Sequence, residues 1–144
     1  MSIAVIRLES AMKNAWAVTV LISLFAVSAS FHVWGADGAF PSLQEAAAAA
    51  AAYKKTSIEV KSTAHQVTIT VVNSKLNDGA TTERTAEASK IASASAKVIA
   101  GKPEFAAVVI IHVDYVKRAG NDSTVVEGID FNKAPDGSFK LHLT

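Results

Sequence analysis

The hydrophobic period of this chain changes along its length, and that change restricts the folds open to it. Ser57-Ile58-Glu59-Val60-Lys61 and Gln66-Val67-Thr68-Ile69-Thr70-Val71 alternate polar and apolar residues. A period of two is the pattern of half-buried strands. Between residues 80 and 100 the period lengthens, and Ala88, Ile91, Ala92, Ser95 and Ile99 recur at helical spacing. Glu83 and Glu87 precede Lys90 and Lys97, the order a helix dipole favours, and Gly101 and Pro103 stop the helix. Phe105 to Val116 then reads FAAVVIIHVDYV, apolar on both faces through Ile111, as in a central strand. Strand, helix and strand in this order predict a right-handed crossover between two parallel strands.

Turn residues divide what remains. Gly120-Asn121-Asp122 and Ala134-Pro135-Asp136-Gly137 predict two hairpins, with strands at Val125–Phe131 and Phe139–Leu143. Upstream, Ser42-Leu43-Gln44-Glu45 has the form of a capping box and opens a run of seven alanines, predicting a first helix over 42–55. Its small side chains suit close packing on a sheet, or a spacer. The expected fold is α+β: two layers, a mixed five-stranded sheet and two helices, in the order α-β-β-α-β-β-β. That order is common to many small domains and implies no activity.

Residues 15–30, AWAVTVLISLFAVSAS, contain no charge and follow Arg7 and Lys13. The apolar stretch is shorter than the roughly 20 residues of a spanning helix and fits the core of an export signal. Small residues at Val27-Ser28-Ala29-Ser30 place the expected cut after Ala29 or Ser30. This divides the chain into a signal peptide (1–30), a leader (31–41) and one exported domain (42–144), periplasmic or secreted. The alternative is an uncleaved membrane anchor over 15–34, because Phe31, Val33 and Trp34 prolong the apolar character.

The chain has no cysteine, so the domain must hold together by packing without disulfides. Of its 14 basic and 13 acidic residues, Arg7, Lys13 and Glu9 lie in the first 30, which leaves a balanced remainder. Nucleic-acid binding leaves a basic footprint, and none is present.

Pairing within the first hairpin is expected to set Val60 against Val67 and Ile58 against Ile69. A three-residue loop at 120–122 sets Val113 against Ile129, Ile111 against Phe131 and His112 against Asp130. A glycine-bulged turn at 134–137 sets Phe131 against Leu141 and Asp130 against His142. His112, Asp130 and His142 then form a row across three strands, with Asp114 on the same face. Two imidazoles around a carboxylate are a metal-ligand set, or an oriented base. On an exposed sheet face they are also an ordinary polar row. Asn73, Asn77 and Arg84, beyond the end of the second strand, are candidates for contact with a small anion; Asn residues there also form turns and caps. Glu127 falls on the inward face of its strand and needs a partner. Ser89, Ser93 and Ser95 are expected on the helix surface.

These features predict an exported, non-enzymatic domain with a binding or structural role and no cofactor. The alternative is a metal- or small-ligand-binding protein, a hydrolase included, using His112, Asp130 and His142. Expected partners are a protein or small molecule, with membrane contact only if the N-terminal segment stays uncleaved. Self-association through the last strand is a further expectation, since it forms an edge with unpaired backbone groups.

Overall fold

The computed structural model describes residues 39–142; the expected signal peptide, its cut and most of the leader lie outside them. Among the described residues the order is α1 (Ala39–Ala51), β1 (Ile58–Ser62), β2 (Gln66–Val72), α2 (Thr81–Ile99), β3 (Ile110–Ala119), β4 (Asp122–Lys133) and β5 (Phe139–Leu141). The strands form one sheet in sequence order. Only β2–β3 is parallel, with α2 as its crossover; the other three pairs are antiparallel. This is the expected two-layer α+β arrangement.

The core is built where α1 and α2 meet one face of the sheet. Leu43, Ala47, Ala48 and Ala51 of α1 and Ala88, Ile91, Ala92 and Ile99 of α2 are buried with Ile58, Ile69, Ile111, Val113, Ile129 and Phe131 of the strands. The alanine run therefore packs on the core and is not a spacer.

α1 starts earlier than its capping pattern predicts. Ser42 lies inside the helix, and Pro41 occupies its first turn, where a missing N–H costs no intrahelical bond. Starting at Ala39 brings Phe40 against Phe105, edge to face at 6.4 Å between ring centroids. That aromatic contact outweighs the local cap. The helix also ends earlier, so Lys54 and Lys55 lie beyond it. Ala52 takes a left-handed conformation (φ 55°), while the Tyr53 N–H donates to Ala48 O at 2.9 Å. This closing turn is normally made by glycine. Ala52→Gly is expected to raise unfolding stability by about 0.5–1 kcal/mol, by removing left-handed strain larger than the added chain entropy. Denaturant titration of both proteins checks it.

β1 and β2 pair two residues out of the expected register: Ile58 faces Val71 and Val60 faces Ile69. β1 runs on to Ser62, and Thr63 N–H donates to Gln66 O at 2.8 Å to close the turn. A shift of two leaves every side chain on its expected face. β3 starts at Ile110, later than the apolar run implies. Phe105 and Val108 are buried from a short 3-10 turn and the loop after it.

The β3–β4 turn has two residues, Gly120 and Asn121, with Gly120 at φ 59° and Ala119 opposite Asp122. That contradicts the three-residue loop. A bulge then places both Val125 and Val126 before Glu127 is reached opposite Tyr115. The extra residue restores the expected pairs Val113–Ile129, His112–Asp130 and Ile111–Phe131. β4 and β5 pair as expected, with Phe131 opposite Leu141 and Gly137 in the turn at φ 82°.

Candidate functional site

The uncovered face of the sheet carries the predicted row. Lys61 faces Thr68, Thr68 faces His112, and His112 faces Asp130. The His142 N–H donates to Asp130 O at 2.9 Å, which puts His142 opposite Asp130. The side chains, however, do not converge as a metal set would. His112 Nδ1 lies 2.6 Å from Asp130 Oδ1 and Nε2 lies 2.7 Å from Asp114 Oδ1. His142 turns to Asn132, with Nδ1 at 3.0 Å from Nδ2. Among the described residues no group of three or more His, Asp or Glu side chains is placed to hold a metal ion.

Gly128 makes the His112 arrangement possible. A Cβ there would sit 2.9 Å from His112 Cε1 and 3.0 Å from Asp114 Oδ1. The imidazole lies over the glycine, between its two carboxylates. A carboxylate only accepts, so holding both bonds requires both ring nitrogens to carry protons. Partial burial opposes that charge, but the bonds to Asp130 and Asp114, reinforced by their negative charge, outweigh it and raise the His112 pKa above its ordinary value. A doubly protonated ring has no lone pair for a metal or for accepting a proton.

The charge on His112 links stability to pH. A folded-state pKa raised above the unfolded value, roughly 6.5, contributes stability that is fully present below that value. The contribution is lost as pH rises through the raised folded pKa. Melting temperature is expected to fall over that window, and His112→Gln to remove the slope. An unchanged slope in the variant would show that the clamp is not its source.

The second set of candidates lies where β2 leaves the sheet. The Asn73 amide spans the backbone of Arg118: Nδ2 donates to Arg118 O at 3.1 Å, and Oδ1 accepts from Arg118 N–H at 2.7 Å. Asn77 Nδ2 donates to Val116 O at 3.1 Å. Both extend the β2–β3 attachment past the last strand residue. Asn73 adopts φ 53°, the turn-forming role asparagine tolerates best.

Arg84 is buried, and its donors are engaged. Nε pairs with Glu127 Oε2, Nη1 reaches Leu76 O at 2.9 Å and Gly79 O at 2.7 Å, and Nη2 reaches Thr81 Oγ1 at 3.2 Å. The partner that Glu127 needs is Arg84. Together they fasten the β2–α2 loop to β4, beside the bulge. Gly79 serves the same loop: Glu83 reaches back to the Ala80 N–H at 3.3 Å, and a Cβ at Gly79 would sit 2.7 Å from that carboxylate.

A buried polar cluster next to this pair was not anticipated. Tyr115 OH lies 3.0 Å from Arg84 O and 3.2 Å from Glu87 Oε1. Tyr53 OH lies 2.6 Å from Ser74 Oγ and 3.5 Å from Glu87 Oε2. Burial, then the negative Glu87, raises the Tyr115 pKa. Tyr115 alternates with His112 and Asp114 along β3, which puts it on the inner face, and Glu87 is one helical turn from Arg84. Those spacings were the available signal. Ser95 is fully buried, as its helical spacing with Ala88, Ile91, Ala92 and Ile99 predicts and against the surface position expected of the α2 serines, and its hydroxyl has no hydrogen-bond partner among the described residues. It sits in the buried stripe of α2 because the helix needs a small side chain there to approach the sheet.

Among the described residues no helix is long and apolar enough to cross a membrane. Comparison with known proteins returns no match to this chain, either to a family, to a curated protein or to a solved structure.

Proposed function

We propose that the chain is an exported, non-enzymatic domain of the envelope or secreted fraction that binds a partner through the open face of its sheet. The observation that carries this reading is the polar row Lys61–Thr68–His112–Asp130–His142, opposed across β1 to β4 and the residue that follows β5, on the face the helices leave bare. The clamp around Gly128 holds its centre rigid, which lowers the ordering cost of binding. The residues best suited to chemistry are engaged elsewhere: Arg84 by Glu127 and loop carbonyls, Asn73 and Asn77 by the backbone of β3. Export rests on the composition of residues 1–30: a charge-free apolar core behind Arg7 and Lys13, followed by small residues.

The test is co-purification from the native envelope after crosslinking. A partner should be recovered with the wild type and with a helix-surface control, Lys90→Glu, but lost with Thr68→Arg. Recovery with Thr68→Arg would sink the open-face reading. Protein retained in the cytosol with an intact Met1 would sink the export reading.

A second reading, divalent-metal binding by His112, Asp130 and His142, has the strand register in its favour and requires His112 to leave its two carboxylates and His142 to turn from Asn132. Calorimetric titration with zinc decides it. Binding that disappears in His112→Gln/His142→Gln would establish the site, and equal binding in both proteins, or none, would remove it.

A further inference from the structure

The helix side of the sheet is not evenly covered. The C-terminal turn of α2, the short turn Pro103–Phe105 and the β4–β5 hairpin bound a depression of about 310 Å³. Its floor is apolar: Ala96 and Ile99 from α2, Phe105, and Phe139 from β5. Phe105 is fixed by its edge contact with Phe40, so the floor is already formed. Two lysines, Lys102 and Lys133, stand in the lining, and no carboxylate does. The ion pairs among the described residues include neither lysine. Glu104 is exposed and does not line the depression.

We propose that this depression binds an amphipathic anion, a carboxylate on a short apolar body. Two features select that class. A purely ionic ligand such as phosphate gains nothing from the surface of Ile99, Phe105 and Phe139, whereas an alkyl or aryl group removes that surface from water. Two cations without internal partners attract a negative head and discriminate against a positive one. The carbonyl end of α2 works against an anion on the floor, so the head is carried by the lysines. The volume lies at the lower end of ligand sites. At roughly 30 Å³ per small group it holds on the order of ten non-hydrogen atoms. The site is on the opposite layer from the open face, so it stands or falls separately from the proposed function.

The experiment is an NMR titration of the full chain with octanoate below its micelle concentration. Saturable shifts are expected at Gly101, Lys102, Ala106 and Gly137. Octanol and octyltrimethylammonium should bind at least about tenfold more weakly, because they lack the negative head. Lys102→Ala/Lys133→Ala should weaken octanoate by a similar factor, and Ala100→Trp, at an exposed position on the rim, should block it while the melting temperature is retained. The proposal is overturned by absence of saturable octanoate binding, by shifts confined to the open face or to residues 1–38, by equal binding of octyltrimethylammonium, or by unchanged affinity in both folded variants.

Discussion

Ile111→Asp is expected to abolish cooperative unfolding of the domain. Ile111 is fully buried at the centre of the sheet, with Val67 on β2 and Phe131 on β4 as its cross-strand neighbours. An aspartate there loses the isoleucine's apolar contacts and places a carboxylate where no cation can reach it. Burying such a group without a partner costs several kcal/mol, comparable to the whole stability of a small domain, about 5–15 kcal/mol. Circular dichroism and a thermal melt check the outcome. A soluble variant with a sharp transition would mean that the centre of the sheet tolerates water.

Glu127→Ala is expected to have the next largest effect, a loss of about 3–5 kcal/mol, because it leaves Arg84 charged and buried without its carboxylate. The side chains of Arg84 and Glu127 are only 10% and 20% exposed, so solvent screens the pair weakly. The double variant Arg84→Met/Glu127→Leu should recover most of that loss. It removes both charges at once and leaves only the loop carbonyls of Leu76 and Gly79 to find water. Denaturant unfolding of Glu127→Ala gives the loss, and that of Arg84→Met, Glu127→Leu and the double variant gives the coupling directly. A loss below about 1 kcal/mol in Glu127→Ala would place the pair with ordinary surface ion pairs.

That ion pair also marks where sequence reasoning stops. Glu127 is recognisable as a carboxylate on the wrong face, and Arg84 as a cation near a helix start. Nothing local links them, because they meet only after β2, α2, β3 and β4 have assembled. The stripe of α2 and the alternation in β1 and β2 were legible because each is a repeating demand of one packed face. The β4–β5 register was legible because the Pro-Asp-Gly turn sets it. The expected β3–β4 pairs were reached through a wrong loop length that the bulge at Val125–Val126 cancels, and no feature of VVEG announces a bulge. The start of α1 was hidden for a different reason: a local cap at Ser42 competes with a distant ring, Phe105, and the ring wins. Of the candidate site, the alignment of His112, Asp130 and His142 could be derived from hairpin geometry. The turning of His142 to Asn132, and the space Gly128 leaves for the imidazole, depend on side-chain packing that register alone does not set.

The single parallel seam has a kinetic consequence. β1 and β2 are joined by a short turn, and β3, β4 and β5 by two more, so each group can pair early through nearby contacts. Val67 meets Ile111 and Ile69 meets Val113 only after the whole crossover has closed. Loop closure must then be met before the contacts that reward it form, and such pairing slows folding. The seam is therefore expected to close late. Ile69→Val should mainly speed unfolding, while Ile129→Val, within the β3–β4 hairpin, should slow refolding. With the non-local pairing of the described strands confined to this seam, the domain can begin folding from either side of it, but it acquires its native cooperativity in one step, when the two halves join.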